Sequence, residues 1–259
     1  MKSALTAILL LVFGATSARA AGGVNLNWSN GLSGATLACY SEAGRSEPLA
    51  TWSCDTDAGG PWNLVASFRV SADMPDFLGL SGVIDGQSAA AALPDWWQLY
   101  NQGSCRETSL YASAGFTVGF QHVACRDPFS GHAEGGINVW QTQAYPPPAP
   151  LNVPIPSRFR LKVTFVLPQP KSLSASNEWL GFWAQLDDSH TVPSRGGVCT
   201  GCQVPLTLVL TEMRVYGQAS SETLVSPLAN ACIFWQSNAV DCYVATRIRT
   251  WGQIKSLYR

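Results

Sequence analysis

The residues with the most obvious capacity for chemistry are Asp187-Asp188-Ser189-His190, the one place in the chain where acids and a histidine sit together. Two carboxylates whose surroundings differ can divide into a general acid and a general base, as in polysaccharide hydrolysis. With a histidine they can also hold a metal ion. Glu212 is a third candidate carboxylate, on a later apolar run. Adjacent side chains rarely converge on one substrate atom, however, and the run from Val192 to Gly197 that follows reads as a polar turn. The turn reading is therefore preferred for Asp187 and Asp188.

Trp96-Trp97 with nearby Tyr100 is a second concentration of chemistry-bearing groups. On a strand, neighbours point to opposite faces, so one indole could be core and the other exposed. Exposed aromatic rings on a β-scaffold make platforms for sugar rings, which marks Trp96, Trp97 and Tyr100 as candidate glycan contacts. Ten tryptophans in 259 residues nevertheless imply that most are anchors of the core. Asp55-Thr56-Asp57-Ala58-Gly59 opens like a calcium loop, but the further oxygen ligands and the closing glutamate are missing. Aspartates bonding local amides before Gly59-Gly60 are the simpler reading. His122 and His132 stand without partner patterns. The sequence carries no GxSxG elbow, HExxH helix motif or phosphate-binding loop. No metal and no cofactor is expected.

Eight cysteines, an even number, point to disulfides if the chain is exported. Short loops cost the least closure entropy, so spacing favours four local pairs: Cys39 with Cys54, Cys105 with Cys125, Cys199 with Cys202, and Cys232 with Cys242. Cys199-Thr-Gly-Cys202 also has the spacing of a redox pair or half a zinc site. Its flanks, Gly196-Gly197 and Pro205, do not open a helix after a strand, and Cys232/Cys242 cannot supply a second zinc knuckle.

The elements that must position these groups read as strands. Period-two or continuously apolar runs occur at Val24–Trp28, Asn63–Val70, Phe77–Asp85, Ser109–Ala124, Gly136–Tyr145, Arg158–Leu167, Trp179–Leu186, Pro205–Tyr216 and Cys232–Trp235. Gln87 to Tyr100 has room for one short helix, broken at Pro94. The expected fold is all-β: an antiparallel β-sandwich or jelly roll with little helix, as one domain over 21–249. The proline-rich run from Tyr145 to Pro156 is stiff and extended, and reads as a crossing between strands. Before the body lie Lys2, the apolar stretch Ala4–Gly14 and Ala18-Arg19-Ala20, the pattern of a secretory signal peptide cleaved after Ala20. Cleavage leaves 239 residues, with no later segment apolar enough to cross a membrane. Only 13% of residues are charged, and 16 basic against 17 acidic side chains provide no field for nucleic acid to follow.

The set Leu93-Pro-Asp-Trp96-Trp97, Gly103-Ser-Cys105-Arg106, Cys199-Thr-Gly-Cys202-Gln-Val-Pro205 and Thr250-Trp-Gly-Gln-Ile-Lys-Ser-Leu-Tyr-Arg259 resembles a family of secreted bacterial proteins of similar length that occur as multiple paralogues. The resemblance spans nearly the whole mature chain. It implies export and carries over no catalytic residue. Members of the family often have asparagine where this chain has Asp55 and Asp57, which further weakens the calcium reading. The tail 250–259 carries no acid, and capping at Thr250 would place Trp251, Ile254 and Tyr258 on one helical stripe. It reads as a docked final helix or as a recognition tail. The expectation for the whole is a secreted or periplasmic, cell-envelope protein without catalysis, whose partner is a glycan or a cell-surface component. The alternative is a secreted polysaccharide hydrolase using Asp187, Asp188 or Glu212.

Overall fold

A computed structural model describes residues 22–29, 49–50, 52–58, 61–99, 103–116, 125–141, 156–193, 197–224 and 231–236. Residues 1–21, the run 142–155, Tyr100, His122, Cys39, Cys242 and the tail 250–259 lie outside them.

Two sheets, antiparallel in all but two short pairings, face one another. The first contains β1 (Gly23–Ser29), β3 (Trp62–Arg69), β9 (Glu178–Leu186) and β5 (Leu110–Ser113), in that order, with β6 (Cys125–Arg126) pairing parallel to β9. The second runs β2 (Leu49–Ala50), β12 (Cys232–Trp235), β10 (Leu206–Gly217), β4 (Met74–Ser88), β8 (Arg158–Leu173) and β7 (Glu134–Gln141). The short strand β11 (Ser221–Leu224) pairs with β10, and β2 runs parallel to β12. The all-β sandwich read from the sequence is the observed architecture.

Alternation decides which side chains meet between the sheets. In β8, Phe159, Leu161, Val163 and Phe165 are buried, whereas Lys162 and Thr164 are exposed, the inside–outside pattern of a strand with one wet face. Leu26, Leu64, Phe68 and Phe182 of the first sheet join Leu80, Ile84 and Val215 of the second in one continuous core. β8 continues through Pro168 and Pro170, beyond the expected end at Leu167. Proline has no amide hydrogen to give a ladder. The register accordingly slips there: Gly79 pairs with Val166, but Phe77 pairs with Lys171. The run from Ser109 forms only the short β5, and the residues 117–124 lie outside the described ones. In place of a helix over Gln87 to Tyr100, β4 extends to Ser88 and a single 3-10 turn covers Asp95–Trp97.

The cysteine pairing needs correction. Cys54 is bonded to Cys202 and Cys105 to Cys199, each with Cα atoms 5.8 Å apart. The pairs Cys39–Cys54, Cys105–Cys125 and Cys199–Cys202 therefore do not form. Cys125 is disulfide-bonded to a cysteine other than Cys105. Sequence spacing prices only loop closure. The sandwich brings the segments around Cys54 and Cys105 beside the 199–202 loop, and that proximity decides the partners. Cys232–Cys242 involves a residue outside the described ones.

Candidate functional site

The bridges Cys54–Cys202 and Cys105–Cys199 lie at one end of the sandwich, around a tryptophan cluster. Trp96 and Trp235 each meet Trp62 and Trp97, with Trp28 and Trp52 at the margins; the closest pair, Trp96 and Trp235, stacks at 4.8 Å between ring centroids. Trp96 and Trp97 are 0% and 1% exposed. The expected glycan platform is overturned at both residues, because the 3-10 turn after Pro94 folds the two indoles inward against Trp235 and Phe159. Tyr100 lies outside the described residues.

The turn is held from several sides. The Trp96 amide donates to the Thr200 carbonyl at 2.9 Å, and its indole Nε1 donates to Thr191 Oγ1 at 3.0 Å. Gly201, at φ +101°, lies so close that a Cβ there would overlap the Pro94 ring, so both its conformation and its lack of a side chain are needed. The Cys199-Thr-Gly-Cys202 segment is thus neither redox pair nor zinc knuckle. It is a strap, with each cysteine tied to a different part of the chain and Thr200 and Gly201 seated against the 3-10 turn.

Over the Trp96 ring sits a fully buried arginine. The Arg106 guanidinium carbon is 3.7 Å from the ring centroid, and the side chain is 0% exposed. Its Nη1 donates to the Trp96 carbonyl at 3.1 Å, and Nη2 donates to the Asp187 carbonyl and, at 3.4 Å, to Asp187 Oδ1. Burial pushes its pKa down to about 10, against the opposing pull of Asp187 and, more weakly, of Asp188 and Asp57. At neutral pH it is a buried cation, neutralised by the acids the sequence offered as catalytic candidates.

Local hydrogen bonds engage this segment as well. Asp187 Oδ1 also accepts from the Ser189 amide at 2.9 Å and the Ser189 hydroxyl at 2.5 Å. Asp188 is buried, and its carbonyl accepts the Thr191 hydroxyl at 2.7 Å. Asp57 Oδ1 accepts from the Val192 amide at 2.8 Å, a bond to the loop after β9 in place of the local amide expected of the 55–59 turn. Glu212 is exposed on β10, in the sheet opposite β9, and is not brought to this cluster. His190 stands at φ +62°, its carbonyl accepting the Cys199 amide at 2.7 Å. Among the described residues no three His, Cys, Asp or Glu side chains gather as a metal site.

An open cleft with an apolar base and polar side chains around it lies where the start of β4, the end of β8 and the start of β9 come together. Its volume is about 440 Å³. Leu173 and Trp179 form a buried apolar floor, and Asp73, Arg126, Ser174 and Asn177 stand around it. Arg126 opposes Trp179 across the parallel β6–β9 pairing, next to disulfide-bonded Cys125. Asp73 Oδ1 accepts from the Ala175 amide at 2.7 Å and from the Ser174 hydroxyl at 3.1 Å. Trp179 Nε1 donates to the Ser174 carbonyl at 3.0 Å. Sequence reasoning missed Arg126, Asp73 and Asn177: they stand at strand ends and turns from three separate segments. The one local signal, a cation immediately after a cysteine, is shared with Arg106. No protein-family model, curated protein sequence or solved structure matches this chain.

Proposed function

We propose that this is an exported, non-catalytic binding protein of the extracellular space or cell envelope. One observation carries most of the weight: the acid cluster that offered hydrolytic chemistry holds the buried Arg106, and Asp187 has its carboxylate engaged by Ser189 and Arg106. A carboxylate so committed is a poor nucleophile or proton shuttle, and Glu212 on the opposite sheet cannot serve as its partner. Disulfides linking distant segments suit an oxidising compartment, and the signal-peptide pattern at residues 1–20 agrees with export. Among the described residues no helix is long and apolar enough to cross a membrane.

The test is incubation of the disulfide-intact protein with acidic and neutral polysaccharides, followed by assay of new reducing ends. The expected result is none, and an Asp187→Asn variant is expected to lose thermal stability. Cleavage by the wild type that vanishes in an Asp188→Asn variant of unchanged melting temperature would overturn the proposal.

A further inference from the structure

We infer that the cleft floored by Leu173 and Trp179 binds a short acidic saccharide, one bearing a uronate carboxylate, with Arg126 as the carboxylate's partner. The inference rests on the reading of the protein as a non-catalytic binder, and it names the ligand class.

Charge is the first argument. Arg126 is exposed at the cleft and has no ion-pair or hydrogen-bond partner among the described residues. Only 16 basic side chains occur in the whole sequence, and Arg106 and Arg160 of the described ones are committed to Asp187 and Asp85. An unpaired guanidinium fork presents two parallel donors, the geometry of a carboxylate.

The rest of the wall suits a polyol. Asp73 holds the 174–175 turn with one oxygen, so its other oxygen is left to accept from a ligand hydroxyl. The Asn177 side-chain amide can donate and accept, and it has no hydrogen-bond partner among the described residues. Pro75, exposed beside the buried Leu173 and Trp179, provides apolar contact for the C–H face of a pyranose. A phosphate dianion fits less well, since a single cation faces it and Asp73 repels it. A neutral sugar would leave Arg126 without its partner.

The wall is also pre-ordered, which limits the entropy lost on binding. The backbone at Arg126 is held by the Cys125 disulfide and by the β6–β9 pairing, Asp73 clamps the turn 174–175, and Trp179 is bonded to Ser174.

The experiment is calorimetric titration of the intact, oxidised chain with trigalacturonate and with galactotriose, its neutral counterpart. Binding of trigalacturonate is expected, with galactotriose at least about tenfold weaker, the worth of one charge-assisted pair. Arg126→Gln should weaken trigalacturonate by a similar factor at unchanged melting temperature, and Arg126→Lys by less. Absence of trigalacturonate binding, equal binding of the two sugars, or wild-type affinity in Arg126→Gln would overturn the inference. Release of reducing ends in the same samples would instead defeat the non-catalytic reading while leaving the binding site standing.

Discussion

Arg106 and Arg126 each follow a cysteine, and the fold gives them opposite fates. Arg106 is buried over Trp96 and donates to two backbone carbonyls, while Arg126 is exposed at a cleft. Nothing in a Cys-Arg dipeptide separates the two, because the difference lies in residues outside it: Trp96 and Asp187, 10 and 81 positions from Arg106, enclose that side chain. Removing Arg106 leaves a void on the indole and unpairs the Trp96 and Asp187 carbonyls. Arg106→Ala should cost about 3–5 kcal/mol, and Arg106→Met clearly less because it refills the volume without a charge to desolvate. Urea unfolding followed by tryptophan fluorescence measures both; equal costs would show that packing contributes nothing to the site. The group gives no pH slope near neutrality, since it stays protonated below about 10 in the folded protein and higher still when unfolded.

The elements show what periodicity conveys and what it omits. β8 and β9 are legible because apolar side chains alternate or run continuously between turn residues, and β1, β3, β10 and β12 are legible for the same reason. The two-residue strands β2 and β6 have no period to read. The 3-10 turn at Asp95–Trp97 follows from Pro94 and from contacts with Thr200, which the local sequence does not contain. The hairpin between β10 and β11 depends on one side chain. Asp76 accepts from the Ala219 amide at 2.8 Å and the Ser220 hydroxyl at 2.9 Å, and these bonds hold its carboxyl below the usual carboxylate range. A depressed folded pKa means that the unfolded chain binds the proton first as pH falls. The stabilisation is therefore present above the ordinary carboxylate pKa and is lost as pH drops through the lower folded value. Asp76→Asn should remove that part of the acid dependence and lower stability at pH 7 by about the amount that the wild type loses through Asp76 on acidification. Melting curves between pH 2 and 6 test it, and an unchanged acid limb would dissociate Asp76 from the hairpin's stability.

At the scale of the molecule, the disulfides decide how the sandwich is closed. An even cysteine count is legible and the pairing is not, since the entropy of a loop grows only slowly with its length. Moving from a local loop to a long one is a modest penalty, which sheet packing easily overrides. Cys54–Cys202 closes a separation of 148 residues and Cys105–Cys199 one of 94. On the chain-entropy account each restricts the unfolded state by about 5 kcal/mol, and the two differ by only about 0.4 kcal/mol. Local pairs would have restricted it less. Both bridges reach the same short strap beside Trp96, so the loss of either should loosen the tryptophan cluster as well as the unfolded-state constraint. Replacing Cys54 and Cys202 together by alanine, or Cys105 and Cys199 together, should lower stability by about 3–5 kcal/mol in each case. Replacing all four should cost less than the sum, because the first loss already frees one end of the strap and the second bridge then constrains a looser native state. Denaturant titrations of the three variants supply the comparison, with non-reducing peptide mapping to verify each bridge. Full additivity would mean that the two bridges act on the unfolded chain alone and that the strap has no cooperative role in holding Trp96 beneath Arg106.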